Sequence, residues 1–474
     1  MARLSSSERE MLRGAWPLEL LEDPRRQPRV AQSAAEFLRE VLVGEHMSEF
    51  VVLPNGVDRL GLREEASLPR DLHAALSGVR RTEDFLRRLA GEDAMLEKYK
   101  AGVEYVSMEK GRVQVSVLPK ERRNLRGRIR EVLRLVDEGR ADAEMLYVAE
   151  MRLMHEQPHP VGGEKVKTLC QRDVKDVLGP YASWSLYWDR HDEGLFVGNP
   201  KSGKGLHVDQ VLWSNVGKNW RGHKLIAAWP KGEVSSRIAT EFDDVLFFPP
   251  LAERELAALR EAAKVVLVRP GDVYLFSGGV AHTVLCVGED INLSAYESFV
   301  SLTPAHVEHF MRTGLKHDPS HVEGAMPDDE LEDIFDECLD QLEGAAKQLA
   351  AGGPERLRGR GATVQEWAEA LVELQRDKGL QLELRRNFAR AVELCRANAF
   401  MKEHMADLVL RAAHGLAREH TLKGRTPPPA RSSPVGPGRS RSRSRSGCTS
   451  GTTAQSRSRS APRAAALAAS SESE

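Results

Sequence analysis

Apolar residues along this chain keep two different periods, and the change between them divides it. Up to about residue 100 the spacing is helical. Residues 31–43 carry apolar side chains at three- and four-residue intervals, and residues 81–89 do the same behind Thr82-Glu83-Asp84, a capped start. From Gly102 the pattern alternates. Residues 103–108 and 113–117 flank a turn signal at 109–112 and predict a hairpin. A helical period returns over 128–136, and 145–149 is a short apolar run that predicts a strand. Further strands are expected at 224–229, 264–268, 273–276, 281–287 and 291–300, with a helix at 253–264 and a Pro-Gly-Asp turn at 269–272. After Thr303 strand signals stop, and 328–348, 363–376 and 380–416 all read as helices.

Many short strands punctuated by Gly, Pro and Asp predict a β-sandwich or barrel. Flanking helices make the fold class α+β. The expected organisation is a helical N-terminal region (1–100), a β-rich domain (101–303), a C-terminal helical region (304–423) and a disordered tail (424–474). The tail collapses to Arg, Ser, Pro, Gly and Ala, too little apolar surface to offset ordering entropy. Within it, 439–446 reads RSRSRSRS and 456–460 reads SRSRS.

Composition alters this picture little. The chain has 474 residues, is 41% hydrophobic and 29% charged, and carries a net charge of -2. That mild value hides a basic tail behind a more acidic body, in which the helix from Asp328 opens on a run of carboxylates. Five scattered cysteines without a CxxC pair argue against a disulfide framework or zinc cluster. No apolar run approaches a membrane span of about 20 residues. Residues 1–14 lack the apolar core of a signal peptide. A nuclear protein, or alternatively a cytoplasmic one, is expected.

The candidate chemistry lies between Leu195 and Pro230. His207 and Asp209 stand at i and i+2, on one face of a strand, where both can grip one metal ion. His282, in RPGDVYLFSGGVAHTVLCVG, is the candidate third ligand. Two His and one carboxylate leave coordination positions open, the pattern of the facial triad of non-haem Fe(II) sites. Residues 198–204 also imitate a phosphate-binding GxxxxGK. Gly205 stands where Ser or Thr is needed and a strand follows instead of a helix, so an NTPase is not expected.

The motif set as a whole resembles the JmjC family of Fe(II)- and 2-oxoglutarate-dependent oxygenases. The resemblance covers residues 105–302. It rests on Ser202–Gly205, then Leu206-His207-Val208-Asp209, Trp213 with Asn215, and Gly222-His223-Lys224. Pro270-Gly271-Asp272 and Gly278-Gly279-Val280-Ala281-His282 complete it. It implies a double-stranded β-helix of the cupin, or jelly-roll, type. It implies Fe(II) on His207, Asp209 and His282, and 2-oxoglutarate as cosubstrate, its far carboxylate bound by Lys224 with Ser294 donating alongside. Asn215 and Asn292 are further polar candidates. Three features depart from the family: Lys204 three positions before the first ligand, a longer segment between Asn215 and Lys224, and Cys286 at a strand position often polar in relatives.

The implied reaction hydroxylates or demethylates a side chain of a protein substrate, lysine or arginine in a nuclear, RNA-associated or histone protein. The Arg-Ser repeats are similar to the RS domains of splicing regulators, whose guanidinium groups attract RNA phosphates or acidic proteins. The alternative is a noncatalytic scaffold recruiting splicing factors or RNA through that tail. No membrane partner is expected, and a homodimer through the C-terminal helices is an expectation from relatives.

Overall fold

The structure is a computed structural model. It describes residues 4–44, 50–92, 100–106, 114–117, 125–152, 186–209, 214–230, 233–301, 303, 305 and 365–397. The chain forms two units, Met1–Gly424 and Arg425–Glu474; every described residue lies in the first. The expected helix at 328–348, the loop residue Trp213 and the Arg-Ser tail lie outside the described residues.

The fold is mixed α+β with antiparallel sheets. In chain order the strands are β1 (Arg29–Val30), β2 (Val51–Leu53), β3 (Lys100–Val106), β4 (Gln114–Val117) and β5 (Tyr147–Arg152). Then come β6 (Leu186–Gly198), β7 (Gly203–Val208), β8 (Ser214–Arg221), β9 (His223–Ala228) and β10 (Lys264–Val268). β11 (Val273–Ser277), β12 (Ala281–Val287) and β13 (Asn292–Ser301) complete the set. Among the described residues one sheet has nine strands in the order β1-β2-β11-β8-β13-β6-β5-β3-β4, the other four in the order β10-β9-β12-β7. Apart from the parallel β1–β2 pair, all pairings are antiparallel.

The sheets face each other. Val52, Tyr274 and Phe276 of the larger sheet pack with Ile226, Val266, Val268 and Val284 of the smaller in one core. Every residue of β12 is buried, as expected of a strand covered on both faces. Ala281, Leu285 and Val287 point outward into a second core with the Glu233–Phe242 and Glu253–Glu261 helices. His282, Val284 and Cys286 therefore point between the sheets.

Three sequence expectations need correction. The N-terminal region, expected to be mostly helices and loops, also contributes two short strands: β1 and β2 extend the larger sheet through the pairing of β2 with β11. Two and three residues are too short to display a period. The helix Thr82–Gly91 is not capped by its own first residues. Asn199, just before β7, accepts from the Thr82 N–H at 2.7 Å and from its hydroxyl at 3.2 Å. β8 was absent from the expected strands, because SNVGKNWR has no apolar alternation although six of its eight residues are buried.

The C-terminal helices Gln365–Arg376 and Lys378–Ala397 lie on the N-terminal helix Ala34–Val43. Trp367, Ala370, Leu371, Leu374, Leu380 and Leu384 share its core. Arg59 pairs with Glu366 at 2.7 Å, and Arg39 with Asp377 and Glu383 at 2.6 Å each. These six residues are thus covered within the chain.

Candidate metal centre and anion pocket

β7 and β12 run antiparallel with His207 directly opposite His282, and their ring centroids lie 4.2 Å apart. A register shift between His282 and Val284 marks a bulge, a device that re-aims side chains beside functional sites. Asp209 follows β7, its carbonyl accepting from the Gly279 N–H at 3.0 Å. Its carboxylate lies 3.4 Å from His207 Nε2 and 3.6 Å from His282 Nε2. One ligand atom from each of the three residues lies within 4.8 Å of the others, so the group can hold a metal ion.

The imidazoles are preset for that role. His207 Nδ1 meets the Gly205 carbonyl at 2.8 Å and His282 Nδ1 the Val280 carbonyl at 2.9 Å. A carbonyl only accepts, so Nδ1 carries the proton and Nε2 keeps its lone pair, directed at the shared point. Burial pushes His282 down to about 4, which keeps the imidazole neutral. Burial alone would raise the Asp209 carboxyl, but His282 and His207 outweigh it and hold the group well below its usual range. Asn215 Nδ2 donates to Asp209 Oδ2 at 2.8 Å, fixing the carboxylate from the larger sheet. His282 is 5% exposed, against 23% and 29% for His207 and Asp209, so the centre opens on the β7 side.

The candidate anion-binding lysine lies further along the same strands. Lys224 of β9 is the register partner of Cys286, and Ala228 that of His282. The lysine end and the metal end are thus four residues apart, about 13 Å of strand. Lys224 is fully buried. Its ammonium donates to Ser294 Oγ and to the Tyr296 hydroxyl at 2.9 Å each, and lies 4.6 Å and 5.1 Å from the Tyr296 and Tyr274 ring centres. Burial lowers it to about 7.

Ser294 and Asn292 play other parts than expected. Ser294 Oγ accepts from Lys224 and donates to Asn292 Oδ1 at 3.3 Å. The Asn292 amide donates to Asn219 Oδ1 at 2.8 Å and to the Arg221 carbonyl at 3.0 Å. A serine has one proton, and here it points to Asn292; the pair braces the lysine from behind. Asn215 faces the metal group, not Lys224.

The residues missed in the sequence are Tyr296 and Tyr274, whose hydroxyls meet at 2.6 Å with Tyr274 donating. Burial raises both phenols, so both keep their protons. Tyr296 stands two residues after Ser294 on one strand face, and that spacing was the available signal.

Neither a protein-family model nor a curated protein matches the chain. Among solved structures it is similar to one titled "X-Ray structure of E. coli ycfD", at 13% identity over 68% of this chain and 72% of that one, with a TM-score of 0.29. A likeness of that size carries no argument.

Proposed function

We propose that this chain is an Fe(II)- and 2-oxoglutarate-dependent oxygenase of the JmjC kind, its two facing sheets forming a double-stranded β-helix. One observation carries the proposal. A fully buried ammonium, Lys224, has hydroxyls and aromatic faces around it but no carboxylate among the described residues, and its strand pairs with the one that carries His282 of a two-His, one-carboxylate group. A buried cation without a counter-charge is costly unless a ligand supplies the anion. A ligand with a chelating head and a distal carboxylate fits both ends.

His207, Asp209 and His282 would hold the iron, and the donor set suits it. Bound Fe(II) with 2-oxoglutarate supplies the oxidative decarboxylation that activates O2 toward a substrate C–H bond. Lys224 and Tyr296 bind the distal carboxylate, with Ser294 and Asn292 holding Lys224 in place. Asn215 keeps Asp209 oriented. The open β7 side admits the substrate, a protein side chain, which we place as lysine or arginine in a nuclear, RNA-associated or histone protein on the strength of the Arg-Ser tail. Incubation with Fe(II), O2 and labelled 2-oxoglutarate tests the reading: succinate release should exceed that of Asp209→Ala at least tenfold.

The Arg-Ser repeats favour a second reading, a noncatalytic scaffold that recruits splicing factors or RNA. Succinate release equal in the wild type and Asp209→Ala would select it.

A further inference from the structure

We infer that Tyr274 is a positioning residue that fixes Tyr296 as a hydrogen-bond donor to the distal carboxylate of the cosubstrate, across the gap left by Gly217. The inference rests on the oxygenase reading.

Three adjacent strands carry it. Gly217 of β8 is the register partner of Tyr274 on β11 and of Tyr296 on β13. The two tyrosines are therefore two strand spacings apart, about 9.5 Å between backbones, with a glycine between them. A Cβ on Gly217 would stand 2.2 Å from Tyr274 Cζ and 2.6 Å from its hydroxyl oxygen. The missing side chain is what lets the phenols touch over the middle strand.

The contact has a direction. The Tyr296 oxygen accepts from Tyr274 at 2.6 Å and from Lys224 at 2.9 Å. A phenol offers two lone pairs and one proton. With both lone pairs engaged, the Tyr296 proton is left to point away from its neighbours. Tyr274 is fully buried while Tyr296 is partly accessible, so of the two phenols only Tyr296 can offer a proton to a ligand. Tyr274 itself cannot swing: its ring stacks on Phe50 at 5.4 Å and on Phe276 at 6.2 Å. Replacing its hydroxyl with hydrogen frees one lone pair of Tyr296, whose proton is then no longer confined to the ligand side.

Tyr274→Phe keeps the stacked ring and deletes only the donor. Binding to the Co(II)-loaded full chain is measured by calorimetry for 2-oxoglutarate and for oxalate, which chelates the metal but has no distal carboxylate. The expected result is a three- to tenfold loss for 2-oxoglutarate with oxalate unchanged. Gly217→Ala, which displaces the same ring from another strand, should show the same selective loss. Tyr274→Phe carries the test alone if the alanine variant does not fold. Unchanged 2-oxoglutarate affinity in Tyr274→Phe, or an equal loss for oxalate, overturns the inference and leaves the oxygenase reading standing. A wild-type protein that binds Co(II) and oxalate but not 2-oxoglutarate overturns both.

Discussion

Lys224 sets the energetics of the site at the scale of single residues. Burial depresses its ammonium to about 7, against roughly 10.4 in an unfolded chain. Between those values the unfolded state binds more protons than the folded one, so this residue makes stability rise with pH. Below about 7 both states are protonated and its penalty is constant. Cys286, pushed up to about 12 by burial, acts in the opposite sense above its ordinary value of about 8.5. The clean window is therefore pH 7 to 8.5. Denaturant melts across that window should show the stability gap between Lys224→Met and the wild type shrinking by up to about 1.4 kcal/mol per pH unit. A gap independent of pH would mean that the lysine is not desolvated. For the same reason, binding of a carboxylate near pH 8 should take up a proton, measurable as a buffer-dependent binding enthalpy.

The three residues of the candidate metal group could be nominated from the chain because residue type, strand parity and a few neighbours suffice for that. The direction of a hydroxyl proton is not written in that way. Ser294 was the obvious donor by position, and only its two partners reveal that its proton is directed to Asn292.

At the scale of elements, legibility followed burial pattern. β10 and β12 were found to the residue because their runs are mostly apolar and bounded by turn signals. β8 was missed because its buried residues are polar for specific reasons. Asn215 donates to Asp209 and Asn219 accepts from Asn292. Lys218, on the other face, is fully buried and paired with Glu297 of β13 at 2.7 Å. A slip of one residue would exchange those faces, bringing Lys218 to the place of Gly217. Removing one partner of such a pair leaves a buried charge uncompensated, so Lys218→Met should destabilise the fold by about 3–5 kcal/mol. Adding Glu297→Leu should restore most of that loss in chemical denaturation. If the single substitution is as mild as a surface change, the pair is not buried as described. The helix Glu233–Phe242 was also missed: Ser235 interrupts the buried face it shares with Ile238, Ala239 and Phe242, yet Ser235 Oγ accepts from the Ala281 N–H at 2.6 Å, beside His282.

The molecule as a whole joins distant parts of the chain. The C-terminal helix carrying Trp367 completes the core under the N-terminal helix Ala34–Val43. Trp367→Ala should cost about 3–5 kcal/mol, read as a lowered denaturation midpoint; a smaller change would mean that this layer contributes little to the first unit. Among the described residues no helix is long and apolar enough to cross a membrane. The Arg-Ser repeats fall in the second unit, Arg425–Glu474. Deleting it should leave metal and 2-oxoglutarate affinity within twofold while weakening salt-sensitive RNA binding at least tenfold. A truncated protein that keeps its RNA affinity would remove the tail from the account.

The central claim is that His207, Asp209 and His282 form one iron site sharing a ligand with Lys224. Anaerobic titration with Fe(II) and then 2-oxoglutarate, followed by the visible charge-transfer absorption of an Fe(II)–2-oxo acid chelate, addresses it directly. The account predicts one equivalent of chromophore in the wild type, none in His282→Ala, and a requirement for much more 2-oxoglutarate in Lys224→Met. A wild-type protein without the band, or a band that survives in His282→Ala, would contradict it.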